Sequence, residues 1–211
     1  MDKEERQLTT KELKRKENFE RICNEMEKNG YETKNLTVSI LQANIAAVIV
    51  MLPFVVLIGW IYFTVNPAGS FSAEISTSLL FLPIFLCLIV LHEVIHGITW
   101  GIFAKNHFRS IDFGVIWKAL TPYCTCSEPL KKWQYIIGGA MPTLILGFGL
   151  AVIATDLNHF LLFVLSELMV ISGGGDFFII LKMLLYRSKK KEVVYYDHPY
   201  ECGVVAFEKM E

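Results

Sequence analysis

Residues Leu79 to Ala104 read LLFLPIFLCLIVLHEVIHGITWGIFA. This nearly unbroken apolar run is long enough to cross a bilayer as a helix, which takes about 20 residues. Within it stands His92-Glu93-Val94-Ile95-His96. Histidines four apart lie on one face of a helix, so both imidazoles can reach a single ion. Glu93, beside the first, is then placed to work on an activated water rather than to bind the metal. An ionisable side chain at membrane depth costs about 2.5–3.5 kcal/mol on insertion scales, so such a cluster needs a reason. The plainer reading, two core histidines hydrogen-bonded between helices, leaves Glu93 without a role.

The rest of the chain fits the same setting. Its 211 residues are 53% hydrophobic with a formal net charge of -1, and the mean hydropathy is +0.42. This is the profile of a small multi-pass membrane protein, not of an ordinary soluble domain. No basic stripe with interleaved aromatics occurs, so no nucleic-acid partner is expected. Cys23, Cys87, Cys124, Cys126 and Cys202 are odd in number and mostly outside the expected outer face, which argues against a disulfide framework. The first 39 residues are charged and polar. They show no signal peptide, and the first apolar stretch is long enough to span and to stay in the mature protein.

Four apolar segments have spanning length: Ile40 to Val65, Thr77 to Ala104, Tyr135 to Thr155 and His159 to Tyr186. The third contains Pro142, and the fourth is interrupted by Gly173-Gly174-Gly175. Such breaks are tolerated where backbone lines a cavity or packs on protein. The connections Asn66 to Ser76 and Asp156 to Asn158 carry no Lys or Arg, whereas Lys105, Arg109, Lys118, Lys131 and Lys132 occupy the middle loop. Arg187, Lys189, Lys190 and Lys191 follow the last span. The positive-inside rule therefore puts both termini and the middle loop in the cytoplasm, with the protein in the cell membrane.

The expected fold is thus an all-α membrane protein of four transmembrane helices, with a cytoplasmic amphipathic helix before them and short extended segments. One domain suffices: residues 1–39 form a cytoplasmic N-terminal segment, 40–186 the four-span core and 187–211 a cytoplasmic tail. Phe19, Ile22, Cys23 and Met26 follow helical spacing, ended by Asn29-Gly30. That helix could lie on the membrane or on the protein's own cytoplasmic face. In the tail, Val193 to Tyr196 and Gly203 to Phe207 read as two short strands around Asp197-His198-Pro199, able to form a hairpin over the cytoplasmic mouth. Cys124-x-Cys126 is too tightly spaced for a common zinc knuckle and reads as plain reduced thiols, with a redox or substrate-binding role as the other reading.

A catalytic zinc takes three protein ligands and keeps one open position. Asp176, Glu167, His107, His159, His198 and the Cys124/Cys126 pair are the candidates for the third, and depth separates them. His96 and His92 lie nine and thirteen residues before Lys105, and Asp176 lies eleven before Arg187. At about 1.5 Å per residue these are ~14, ~20 and ~17 Å from the cytoplasmic boundary, which puts Asp176 between the two histidines. His159 sits at the outer end of its span, and Glu167 about 13 Å above Asp176. Glu167 fits better as a hydrogen-bonding residue between helices. Three glycines before Asp176 allow a close approach or local unwinding. A helix N-cap after the glycine break is the other reading of Asp176.

These residues resemble the site-2 protease superfamily of intramembrane zinc metalloproteases. More closely they resemble the bacterial family described as "putative zincin peptidase", also known as domain of unknown function 3267. His92 to Gly97 is similar to the zinc helix, and Ile111 to Trp117 to the extended segment that follows it. Gly138-Gly139-Ala140-Met141-Pro142 resembles the start of the next core helix, and Ser172 to Asp176 stands where the superfamily carries its ligand aspartate. Gly30-Tyr31, Asn35 to Ser39, Ala43-Asn44-Ile45 and Asp197-His198-Pro199 also resemble that family. In site-2 proteases an asparagine-proline stretch is usual and glycine follows the aspartate; here the glycines precede it, and Phe177-Phe178 follow. The resemblance implies His92, His96 and Asp176 as zinc ligands and Glu93 as general base. It implies hydrolysis of peptide bonds in membrane proteins or peptides.

Two other readings remain at this level. One is a non-catalytic protein, degenerate or with structural zinc, that binds transmembrane partners; the other is an ion transporter, although four spans lack the duplicated halves usual there. Ser110 to Trp117 could offer an edge for strand addition or be a surface loop. Gly97-x-x-x-Gly101 suits close helix contact.

Overall fold

The structure, a computed structural model, describes residues 10–67, 75–116, 121–199 and 201–210. Trp117, Lys118 and most of the connection after the first span lie outside the described residues. Helix α1 (Thr10–Lys28) leads through Gly30, whose φ of 79° needs no Cβ, into strand β1 (Tyr31–Asn35). Helix α2 (Ile40–Val65) then begins at a capping box, with Gln42 N–H donating to Ser39 Oγ and Ser39 N–H to Gln42 Oε1.

Helix α3 (Ile75–Phe103) carries the histidine pair. After a short turn, β2 (Ile111–Ile116) and β3 (Thr121–Cys126) pair antiparallel. Strand β4 (Leu130–Lys131) runs straight into α4 (Lys132–Pro142), a π-helical stretch (Thr143–Gly149) and α5 (Leu150–Asp156). Pro142 sits where the α geometry gives way to the wider turn, consistent with its missing N–H. Helices α6 (Phe160–Ser172) and α7 (Gly174–Leu185) follow, then β5 (Val193–Asp197) and β6 (Val204–Lys209).

Among the described residues three stretches are long and apolar enough to cross a membrane: Leu41–Val65, Leu79–Phe103 and Lys132–Asp156. The pair α6–α7, bent by 41° at Gly173, makes a fourth if counted as one broken span. The bend has a packing cause. A Cβ on Gly173 would meet Thr143 Oγ1 at 1.7 Å, and one on Gly174 would meet Ala47 of α2 at 2.8 Å. The glycines expected to permit close approach thus let α7 sit against α2 and the π stretch.

The all-α expectation is corrected here. Strands β1, β6, β5 and β4 form one antiparallel sheet, in that order, beside the separate β2–β3 hairpin. The tail hairpin was expected. The joining of β1 and β4 to it was not, because Tyr-Glu-Thr-Lys-Asn and a two-residue strand carry no apolar alternation to read. This sheet gathers the N-terminal segment, the middle loop and the tail at one end of the helices. At the other end, Asn66 Nδ2 donates to the Thr155 carbonyl at 3.0 Å, tying the end of α2 to the α5–α6 turn. The apolar stripe of α1 (Phe19, Ile22, Cys23, Met26) packs on Tyr196, Val205 and Phe207, so the amphipathic helix covers the protein's own sheet. Gly97 and Gly101 also differ from expectation. They face Ile111 and Phe113 of β2 and the Phe108 ring rather than another helix.

Candidate metal centre

Helix α3 and the first turn of α7 bring three ligand-type side chains together. The Nε2 atoms of His92 and His96 each lie 3.3 Å from the same Asp176 oxygen, Oδ2. One ligand atom from each of the three residues falls within 4.8 Å of the others. Both imidazoles are buried, while the Asp176 side chain keeps 26% of its surface exposed. The group can therefore be approached from the α7 side.

Neighbouring groups orient His96 nitrogen by nitrogen. His96 Nδ1 lies 2.8 Å from the Gly138 carbonyl, which can only accept, so Nδ1 carries the proton. Its Nε2 lone pair then points at a carboxylate oxygen. Two acceptors facing each other need a positive charge between them, either a proton on Nε2 or a metal ion. A divalent cation satisfies both nitrogens and the oxygen at once, and a two-nitrogen, one-oxygen set is one that zinc takes. The donor set thus fits the metal. The arrangement of a histidine donating its far N–H to a carbonyl is a usual support for a ligating imidazole. His92 Nδ1, by contrast, is buried without a hydrogen-bond partner among the described residues.

The ring of Trp100 stacks on His96, centroids 4.9 Å apart and planes 14° from parallel. Trp100 Nε1 donates to the Tyr135 carbonyl at 3.2 Å. A Cβ on Gly138 would meet that indole at 2.0 Å, so only glycine lets the carbonyl come close enough to His96. Glu93 is half-buried beside the group, and the Cys124 backbone amide of β3 donates to its carboxylate.

The other candidates go elsewhere. His159 caps α6, its Nδ1 accepting from Leu162 N–H at 3.2 Å. His107 lies in the turn after α3 with a φ of 53°. His198 is a turn residue, its Nδ1 accepting from Glu201 N–H at 3.0 Å. Glu167 is half-buried on α6 next to Gly59, its two oxygens buried with no partner among the described residues. Cys124 and Cys126 are free and buried; burial pushes both thiols up, Cys126 to about 12, so they stand as neutral thiols. The sequence reading missed the Gly138 carbonyl, the Cys124 amide and Trp100. Only Trp100 left a trace, four residues after His96 and so on its face of the helix.

Apolar spanning helices around two buried imidazoles and a facing carboxylate define a membrane protein with a metallopeptidase-type centre. A family model described as "Putative zincin peptidase" matches residues 85–192, just over half of the chain, and the chain belongs to that family. The family implies zinc as the metal. No curated protein and no solved structure matches the chain.

Proposed function

We propose that the chain is an intramembrane zinc metalloprotease of the site-2 protease type, cutting membrane proteins or membrane-borne peptides. His92, His96 and Asp176 would hold the zinc, and Glu93 would be the general base. The observation that carries this reading is the convergence of two imidazoles and a carboxylate inside apolar helices, with a fourth ionisable group held beside them.

Zinc in such a site supplies Lewis acidity, making water nucleophilic near neutral pH and polarising a peptide carbonyl. Glu93 takes the proton of the attacking water and passes it to the leaving amine. The Cys124 amide keeps its carboxylate turned toward the reaction, and the Gly138 carbonyl keeps His96 in the tautomer whose Nε2 is free. A spanning substrate hides its carbonyls in helix hydrogen bonds and must unwind first. Strand β2 pairs with β3 alone among the described residues, which leaves its outer edge for an extended segment. The positive-inside pattern favours a cytoplasmic sheet end, with both termini inside and water arriving from there.

The test compares wild type with Glu93→Gln, reconstituted with a mixture of membrane-spanning peptides whose new N-termini are read by mass spectrometry. The variant is expected to keep near-stoichiometric zinc and to lose cleavage by about 10²–10⁴-fold. Cleavage at the wild-type rate by Glu93→Gln would refute the base. A wild type that takes up no zinc on supplementation would refute the site.

A further inference from the structure

Asp197 stands on β5 of the C-terminal hairpin, far along the chain from α3, and its carboxylate makes two hydrogen bonds. Cys126 N–H donates to Oδ2 at 3.1 Å, and the Tyr135 hydroxyl donates to Oδ1. Both partners lead to the metal centre. Cys126 belongs to β3, whose Cys124 amide holds the Glu93 carboxylate. Tyr135 belongs to the first turns of α4; its carbonyl receives the Trp100 indole that stacks on His96, and one turn later Gly138 receives His96 Nδ1.

We infer that Asp197 is a positioning residue for the metal centre, a single carboxylate on the tail hairpin that braces both the base Glu93 and the metal-facing His96. The inference rests on the roles proposed above for those two residues. The fold alone does not call for an acid at this place. The hairpin is already held by its ladder from Val193↔Glu208 to Asp197↔Val204 and by packing of Tyr195, Val204 and Ala206 on Trp100, Tyr135 and Leu130. Burial works against a carboxylate here, raising its pKa from 3.8 to about 6. An acid retained in an unfavourable setting, with both of its partners leading to one site, is explained by what it orients.

The experiment uses the full chain in detergent, as wild type, Asp197→Asn and Tyr135→Phe. Zinc affinity is measured by competition with a chromophoric chelator, and the ligand field by the visible spectrum after cobalt(II) substitution. Asp197→Asn is expected to melt at or above the wild-type temperature and Tyr135→Phe somewhat below it, for the hydrogen bond that Asp197 loses. Yet both should bind zinc about tenfold more weakly, the lower end of what a supporting residue contributes. Their cobalt bands should shift, which a purely structural role would not produce. Tyr135→Phe keeps the ring and removes one arm, so it decides the matter if Asp197→Asn does not fold. Wild-type affinity and spectrum in the folded variants overturn the inference, as does a loss that only tracks unfolded protein. A wild type that binds no zinc overturns the metal reading itself, and this inference falls with it.

Discussion

Two sets of polar groups are sunk among the same apolar helices, and they are treated differently. Toward the sheet end, His92, His96, Asp176 and Glu93 converge, with a carbonyl, an indole and a backbone amide arranged around them. Elsewhere among them, Glu167 leaves both oxygens, and Tyr62 and Thr143 their hydroxyls, buried without partners among the described residues. Burying a polar group costs free energy in either place. Only the first set organises that cost into a common point able to hold a cation. Convergence, rather than the mere presence of acids in the membrane, separates a site from a tolerated liability.

Breaking the organised set should have the largest effect. Asp176→Ala removes the oxygen that both imidazoles face and is expected to weaken zinc by more than the roughly 10–100-fold that a supporting residue provides. Zinc per chain after dialysis should fall from near one to near zero; a variant that keeps its metal would remove Asp176 from the centre.

Asp197 is an intermediate case, a half-buried acid with partners, and its pH dependence sharpens the contrast. Burial lifts its pKa to about 6, and hydrogen bonds from Tyr135 and Cys126 offset only part of that. A raised carboxyl pKa contributes stability that is fully present below the ordinary 3.8 and is lost as pH rises through about 6. The ionised group then costs at most about 3 kcal/mol near pH 7. The melting temperature of Asp197→Asn should therefore gain on wild type as pH rises from about 4 to 7. A difference flat across that range would contradict the burial. Gly138→Ala follows: its methyl collides with the Trp100 indole and should cost about 1–3 kcal/mol, read from chemical unfolding, and loosen zinc. Gly175→Ala meets nothing within 4 Å and should leave both unchanged.

How much of this was legible follows from the range over which each signal acts. The spanning segments and the histidine pair are encoded within single helices, where a period of 3.6 residues and a run of apolar residues suffice. Asp176 falls at the level of the histidines because both spans run the same way from charged boundaries, and its Oδ2 lies 3.3 Å from each Nε2. The supporting groups were silent for a physical reason. A glycine carbonyl and a cysteine amide have no side-chain identity, and their contacts depend on how α4 and β3 dock. Strand β1 was silent because its residues are polar and its ladder comes from a tail more than 160 positions away. Asp197 is legible only as part of the Asp197-His198-Pro199 resemblance; in the structure His198 is a turn residue, as its place between the two strands suggests, and the Asp197 carboxylate reaches Tyr135 and Cys126.

The smallest effect tests the silent half of the comparison. Glu167, together with Phe163 of the same helix, faces Gly59 of α2, with no donor near enough to hydrogen-bond either oxygen among the described residues. Replacing it with methionine keeps an unbranched side chain of similar length and removes two unpartnered polar atoms. Because an unsatisfied buried group costs about 1–3 kcal/mol, Glu167→Met should raise stability by about 1 kcal/mol or slightly more. Zinc content and cleavage should stay at the wild-type level, since α6 contributes nothing to the metal group. A rise in melting temperature with unchanged zinc would mark Glu167 as a liability of the bundle. A fall in zinc or in cleavage would mean that the outer acid serves the site across the membrane, and the division drawn between the two sets would have to be abandoned.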